Sequence, residues 1–334
     1  MTFTRRQLLQ TTGASGAAAL LASIGQMAFA QQQHATLETA NIITGFAAGG
    51  TSDNICRRLA LKLSPDFART VVVENRTGAG GQIAIGYVKG RPADGTAILQ
   101  TPTSMLTIYP HIYKKLPYDF ATDLTPVSLG CSFDFGFAVG PSVPANVKTV
   151  PDFLAWAKAN PAGANFGSPA AGSTPHFIGA LLGKGAGVEL KHAAYRGTQP
   201  AMLDLLGGNV SAVSGPVGDI TQHLASGKVR ILGVSGEKRS RFAPDVPTFG
   251  EQGFTALGSS SWVGLFAPPG TSAALIERIG AGVSEAAALP ATRANLLAVG
   301  FDPAPGGPQA LRDAVRDELA LWRPIIRESG FQID

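Results

Sequence analysis

The sequence predicts an α/β protein built as two lobes, and three observations carry that expectation. Short apolar, β-branched runs alternate with stretches whose apolar residues recur every three or four positions, the alternation that builds sheets covered by helices. The alternation comes as two series, the second starting near Phe133, and two long helical patterns close the chain. The 334 residues, 45% apolar and 15% charged, suffice for about two domains and exclude a disordered chain. Gly at 41 and Pro at 23 call for many turns. No internal repeat is present, which excludes a solenoid.

In the first series, residues 42–46 read as a strand. Residues 53–64 read as a helix, because Ile55, Leu59 and Leu63 share one face. A buried strand follows at 71–73, a helix at 82–89, a strand at 97–100, a helix at 103–113 and a strand at 124–129. The second series opens with a strand at 133–139. Residues 150–160 form a helix, with Pro151 at its start and Pro161 just beyond its end. Strands at 164–166, 190–192, 210–213 and 229–234 alternate with helices at 174–182, 198–206 and 218–226. A strand at 262–267 leads back. Of the closing helices, 272–289 carries Leu275, Ile279 and Val283, and the last carries Leu311, Val315, Leu319 and Trp322, with Pro324 expected to kink or end it. Strand-helix-strand order of this kind predicts parallel sheets.

Residues 1–30 are expected to lie outside the fold. Thr4-Arg5-Arg6-Gln7-Leu8-Leu9, a soft Gly/Ala-rich run from Gly13 to Ile24 and then Ala28-Phe29-Ala30 have the anatomy of an export signal. The paired arginines suit the twin-arginine route, with the Sec route as the alternative. The apolar run is too short for a permanent membrane span. The full chain carries +4; without this segment 25 basic face 23 acidic side chains, a net +2. Nothing basic is clustered, since Lys238-Arg239-Ser240-Arg241 is flanked by Glu237 and Asp245, so nucleic acid is excluded as a partner. Cys56 and Cys131 are either a disulfide, which an exported protein allows, or two separately buried thiols.

Catalytic and cofactor motifs are missing. There is no G-x-S-x-G elbow and no H-E-x-x-H, and the five histidines are scattered. Gly78-Ala79-Gly80-Gly81 follows a strand, but Ile83 stands where a dinucleotide fingerprint needs glycine. No cofactor, metal or catalytic residue is called for. Instead, four Gly/Ser/Thr-rich loops join strands to helices: Phe46-Ala47-Ala48-Gly49-Gly50-Thr51-Ser52-Asp53, Arg76 to Gly81, Gln100-Thr101-Pro102-Thr103-Ser104, and Gly167-Ser168-Pro169-Ala170-Ala171-Gly172-Ser173-Thr174. Such loops lie at the carboxyl ends of strands, where α/β proteins bind ligands. Each is followed by a helix whose free N–H groups can hold an anion without Lys or Arg.

The order of these segments resembles the Bug receptors, the periplasmic solute-binding proteins of tripartite tricarboxylate transporters. The resemblance lies in Phe46-x-x-Gly-Gly-x-x-Asp53, Val72-Val73-Glu74-Asn75-Arg76-x-Gly-Ala-Gly-Gly81, Pro92-Ala93-Asp94-Gly95-Thr96, Lys115-Leu116-Pro117-Tyr118-Asp119 and Tyr195-Arg196-Gly197-Thr198-x-Pro200. It continues through Asp204-Leu205-Leu206-Gly207-Gly208, Pro244-Asp245-Val246-Pro247-Thr248 and Ser261-Trp262-x-Gly264-Leu265. It implies a two-lobed type II periplasmic-binding-protein (Venus flytrap) architecture with a central ligand cleft. Residues 31–131 plus 262–334 would form domain 1 and 132–261 domain 2.

Function and site residues follow from the same resemblance. The protein would be a monomeric, non-enzymatic periplasmic receptor that captures a small carboxylate and delivers it to membrane permease subunits. Phe46 would pack on the solute while Ala48, Gly49, Gly50 and Thr51 hold a carboxylate and Asp53 orders their loop. Thr101, Thr103 and Ser104 would form the first lobe's rim, with Ser168, Gly172, Ser173, Thr174 and His176 facing them and Arg196 at the edge. Many members carry Pro-Pro where Ala47-Ala48 stands, and an acid after residues 210–213 where Ser214-Gly215-Pro216 stands, leaving Asp219 as the nearest carboxylate. That favours an organic acid over an amino acid and leaves dicarboxylates and aromatic carboxylates open. Two rival functions are an exported hydrolase or transferase using Ser168 or Ser173 with His176, and a ligand-sensing receptor for a membrane signalling partner.

Overall fold

The computed structural model describes residues 36–333; the expected export signal at 1–30 lies outside them. In the first series the elements are β1 (Leu37–Thr44), α1 (Thr51–Leu63), β2 (Ala68–Asn75), α2 (Gln82–Lys89), β3 (Ala97–Pro102), α3 (Ser104–Thr107), α4 (Tyr109–Ile112), α5 (Phe120–Asp123) and β4 (Thr125–Phe133). In the second they are β5 (Phe135–Val139), α6 (Val150–Ala159), β6 (Asn165–Ser168), α7 (Thr174–Gly185), β7 (Lys191–Ala194), α8 (Thr198–Leu206), β8 (Ala212–Pro216), α9 (Val217–Thr221) and β9 (Arg230–Val234). The chain then closes with β10 (Ser261–Ala267), α10 (Ala273–Ala288), α11 (Pro290–Leu297), β11 (Asp302–Gly306) and α12 (Pro308–Ser329).

These strands make two sheets. The first has the order β11-β4-β10-β3-β1-β2 and the second β7-β6-β8-β5-β9. Both are mixed rather than purely parallel. β10 runs antiparallel between β3 and β4, and β5 runs antiparallel between β8 and β9. β5 and β10 are the strands by which the chain enters a sheet from the other sheet; β11 at the edge also runs antiparallel to β4. β4 passes into β5 through Asp134 alone, and β9 returns to β10 through residues 235–260.

Four sequence expectations are corrected. The helix expected at 103–113 is two single turns, because Pro110 supplies no N–H to continue a ladder. The 218–226 helix stops at Thr221 and resumes as a 3-10 turn at Leu224–Ser226. Pro324 does not end α12, which runs on to Ser329; Trp322 and Ile326 on either side of it are buried and hold the helix against the core. β11 and α11 were not expected at all. β11 reads Asp-Pro-Ala-Pro-Gly, with no strand alternation, and its prolines are tolerated because it is an edge strand. The two thiols are free and buried, Cys56 fully and Cys131 at 2% exposure.

One core packs α2, α3, α4 and α12 against β1 and β3, with Tyr109, Phe266 and Trp322 buried in it. Beneath the second sheet, Phe137 lies between Phe153 and Phe166, at centroid distances of 5.2 and 6.3 Å. Helix α7 reaches across: Phe177 packs 5.7 Å from Trp322 and 5.5 Å from Phe331. Close approach also explains Gly218, where a Cβ would collide with the Val299 carbonyl. There α9 of the second series rests on the segment before β11.

Phe137→Ala is expected to cost about 3–5 kcal/mol, since the ring is fully buried between two others. That corresponds to a fall of roughly 10 °C in thermal midpoint. A midpoint unchanged within about 2 °C would refute the placement of this ring at the centre of the second core.

Candidate functional site

The loop after β1 is shaped by Asp53. Its Oδ2 accepts from the Gly49 amide at 2.9 Å and from Arg57 Nε at 2.8 Å, and its Oδ1 accepts from Asn75 Nδ2 at 3.0 Å. The second amide hydrogen of Asn75 Nδ2 goes to the Phe46 carbonyl at 3.0 Å. Burial raises the Asp53 carboxyl, but the hydrogen bonds from Arg57, Gly49 and Asn75 outweigh it and hold the group below its ordinary range. A charged, threefold-bonded carboxylate thus pins the loop from beneath, and Ala48 and Gly49 are left on the outer, exposed side.

Helix α1 begins at Gly50, which has no side-chain cap. Across from it α8 begins at Gly197, also without a cap and at φ +120°. That φ suits glycine, and it brings the chain to Ala47, 3.5 Å from where a Gly197 Cβ would stand. Two helices from opposite sheets therefore aim uncapped N-termini at one place, each with free N–H groups and a partial positive charge.

A cavity of about 50 Å³ lies there, the room of one or two waters. Phe46, Gly50, Thr51, Ser104, Ser173 and Asp219, among the residues expected from sequence, line it. No Lys, Arg or His does, and Asp219 is its only ionisable group. Thr51 Oγ1, Gln199 Nε2 and both Asp219 carboxylate oxygens are buried without a well-formed hydrogen bond, although the Thr51 hydroxyl and amide and the Thr198 hydroxyl lie close enough to Asp219 to favour its charged form. Unpaired buried polar atoms are costly and rare, and of these four only Gln199 Nε2 has no such neighbour.

The cavity is shut. Ser104 Oγ lies 3.1 Å from Thr174 Oγ1 and accepts from the Thr174 amide at 3.1 Å. Tyr109 Oη donates to the Gly80 carbonyl at 3.0 Å and lies 3.4 Å from the Ala171 carbonyl. Phe133 and Phe135, 5.3 Å apart on either side of the crossover, contribute to the lining.

The other expected residues sit around this core of the site. Thr101 Oγ1 donates to Met105 Sδ at 2.8 Å. Thr103 Oγ1 donates to Glu318 Oε1 at 2.7 Å; burial pushes that carboxyl up to about 7 against the hydrogen bonds of Thr103, Trp322 and Trp262. Gly172 packs on Ile112 and donates its amide to His176 Nδ1 at 3.0 Å. His176 is 6% exposed and stacks on His192 at 3.9 Å. Burial lowers His176 to about 4, and burial with the neighbouring His176 ring lowers His192 to about 3, so both are neutral at pH 7. Arg196 is exposed on a second hollow of about 310 Å³, which shares Phe46 and Pro169 with the first.

Sequence reasoning missed Phe133, Phe135 and Gln199 as lining residues. Gln199 follows Tyr195-Arg196-Gly197-Thr198, and its place next to an uncapped helix start was the available signal. Among the described residues no group of three or more His, Cys, Asp or Glu could hold a metal.

Residues 55–331 match the model of the tripartite tricarboxylate transporter family receptor. The chain belongs to that family. It is 34% identical over 290 residues to the UPF0065 protein in the tcbD-tcbE intergenic region of a Pseudomonas species, covering 86% of this chain and 84% of that one. It is 30% identical over 293 residues to protein BugT of Bordetella pertussis, covering 87% and 89%. The solved structure of Rpa4515 of R. palustris with adipate superposes with a TM-score of 0.83 at 29% identity, covering 88% of this chain and 98% of that one. These Bug-family proteins are two-lobed periplasmic solute-binding receptors, not enzymes; they bind small carboxylates and work with tripartite transporters.

A receptor's geometry also accounts for the Ser/His residues considered for hydrolysis. Ser168 Oγ lies 2.7 Å from His192 Nε2, not near His176, and it is fully buried and donates to the Ala170 carbonyl at 3.1 Å. His176 Nδ1 is occupied by the Gly172 amide.

The buried His pair sets an acid limit on stability. The folded-state values lie below the unfolded value near 6.5, so the contribution is present above pH 6.5 and is lost as pH falls toward 4. His176→Phe is expected to flatten the fall in urea midpoint between pH 6.5 and 4.5 relative to the wild type. Identical slopes for the two proteins would refute a buried neutral His176.

Proposed function

We propose that the protein is a periplasmic solute receptor that closes residues 31–131 plus 262–334 and residues 132–261 around one small organic carboxylate and hands it to the membrane permease of a tripartite transporter. Export by the twin-arginine-like segment at 1–30 and action as a monomer belong to the same reading. The observation that carries it is the cavity where α1 and α8 meet. Its donors are helix N–H groups, the Thr51 hydroxyl and the Gln199 amide, and among the described residues Gln199 Nε2 has no partner. Donors without a cation suit a carboxylate, whose oxygens accept several hydrogen bonds and whose charge is met by helix ends.

Phe46 and Phe133 supply apolar wall for the carbon skeleton. In this reading the halves part to admit the solute and close again around it. A solute that contacts both halves only when they are closed stabilises the closed form by its differential affinity. Rpa4515, the relative solved with adipate, supports an organic acid as the solute class.

A thermal-shift panel of mono-, di- and tricarboxylates and aromatic acids is expected to yield at least one that raises the midpoint. Solute at about 100 times its Kd adds roughly 2.7 kcal/mol of stability. Thr51→Val removes one charge-assisted donor and is expected to weaken that solute about ten- to hundredfold in calorimetry. No shift from any acid at millimolar concentration, or a Thr51→Val affinity equal to the wild type, would sink this assignment.

A further inference from the structure

We infer that Asp219 takes up a proton from solvent when a carboxylate enters the cavity, and that the neutral acid then donates a hydrogen bond to the solute. This rests on the reading of the cavity as a carboxylate site, and it adds the rule that pH sets the affinity.

The argument begins with position. Asp219 lies on α9 and is 1% exposed, with no well-formed hydrogen bond to either carboxylate oxygen and only the Thr51 and Thr198 hydroxyls and the Thr51 amide as close donors. It belongs to the second series but faces the first: Oδ2 is 3.8 Å from where a Gly50 Cβ would stand, at the uncapped start of α1. Thr198, at the uncapped start of α8, lines the same wall. The acid therefore sits where the two helix ends converge, in the place that best suits an anion.

A second carboxylate brought to those helix ends meets this one in a small closed space. Two carboxylates in such a space do not both stay ionised, and one of them holds a proton. No other charge is at hand to relieve the pair. The neighbouring strands β5 and β8 carry no titratable side chain. On α8, Asp204 is engaged by Tyr195 at 2.7 Å and by Asn209 at 3.1 Å. On α1, Asp53 and Arg57 are bonded to each other. Beyond α9, the His223 ring lies 3.3 Å from Gln199 Oε1.

Burial already raises the Asp219 carboxyl to about 6, opposed by the nearby Thr198 and Thr51 hydroxyls and the Thr51 amide. In the free protein the folded state therefore holds more protons than the unfolded state between about pH 4 and 6, and stability falls as pH rises through that window. A bound anion moves the value higher still, so above about pH 6.5 the free form is charged while the bound form is neutral.

Calorimetry of the mature protein with adipate, benzoate and aspartate, in buffers of different ionisation enthalpy at pH 6.5, 7.5 and 8.5, tests this. Adipate or benzoate is expected to bind with uptake of about one proton at pH 7.5, and affinity is expected to fall about tenfold per pH unit. Asp219→Asn is expected to abolish the uptake and flatten the profile; the wild-type uptake needs no variant and stands by itself. Binding of adipate or benzoate with no proton uptake and a flat profile overturns the inference and leaves the carboxylate site standing. Tighter binding of aspartate without uptake, lost in Asp219→Asn, also overturns it, because Asp219 would then be a charged partner for an ammonium group. If none of the three binds to either protein at any of these pH values, the carboxylate site and the inference fall together.

Discussion

A single residue, Asp134, separates the last residue of β4 from the first of β5, so the chain passes from one sheet to the other with no slack. Its carboxylate accepts from Ser260 Oγ at 2.7 Å, just before β10 brings the chain back. Its carbonyl accepts from the amide of Val217, the first residue of α9, at 2.8 Å. The outgoing crossing, the returning crossing and the helix that bears Asp219 are therefore tied at one point. Phe133 and Phe135 on either side of it line the cavity, which is why the cavity lies where the sheets meet. Arg241, on the returning segment, pairs with Asp302 of β11 at 2.7 Å beside the same crossing. Both groups are partly exposed, so that pair adds little stability.

The second constraint is electrostatic. The cavity has no cation, and an anion there depends on the amides of two helix starts, a hydroxyl and a carboxamide. Helix ends keep their charge without desolvating an ammonium or guanidinium group, and their geometry is fixed by the backbone. Asp53 provides that rigidity for the first loop by bonding Gly49, Arg57 and Asn75 at once. Asp219 has the opposite character. It is equally buried, but no ionised partner holds it and no well-formed hydrogen bond reaches its oxygens. Two aspartates near the same helix thus divide the work, one ionised and structural, the other poised to change.

Much of this was legible in the sequence, for local reasons. Strand-to-helix loops rich in Gly, Ser and Thr read directly as backbone donors, and Phe46, Gly50, Thr51, Ser104 and Ser173 do line the cavity. Helices 82–89 and 198–206 were read to the residue, because their apolar spacing and flanking glycines are local signals. What escaped depends on pairing over long distances. Nothing around Ser168 shows that His192, and not His176, would lie beside it, since that contact comes from the parallel pairing of β6 with β7. Nor does alternation alone show that β5 and β10 would run against their neighbours, because strand direction depends on long-range pairing.

By itself, then, the sequence determined the α/β class, the order of most elements, the near-neutral charge of residues 31–334 and the kind of donor the loops can offer. These follow from periodicity and composition, which act over a few residues. The tertiary structure alone decided that α1 and α8 point their free ends at the same small cavity, that α7 packs across onto α12, and that Asp219 arrives there with no well-formed hydrogen bond to either oxygen. Those depend on two chain crossings between sheets, and a crossing brings together residues whose separation in sequence carries no trace of the contact.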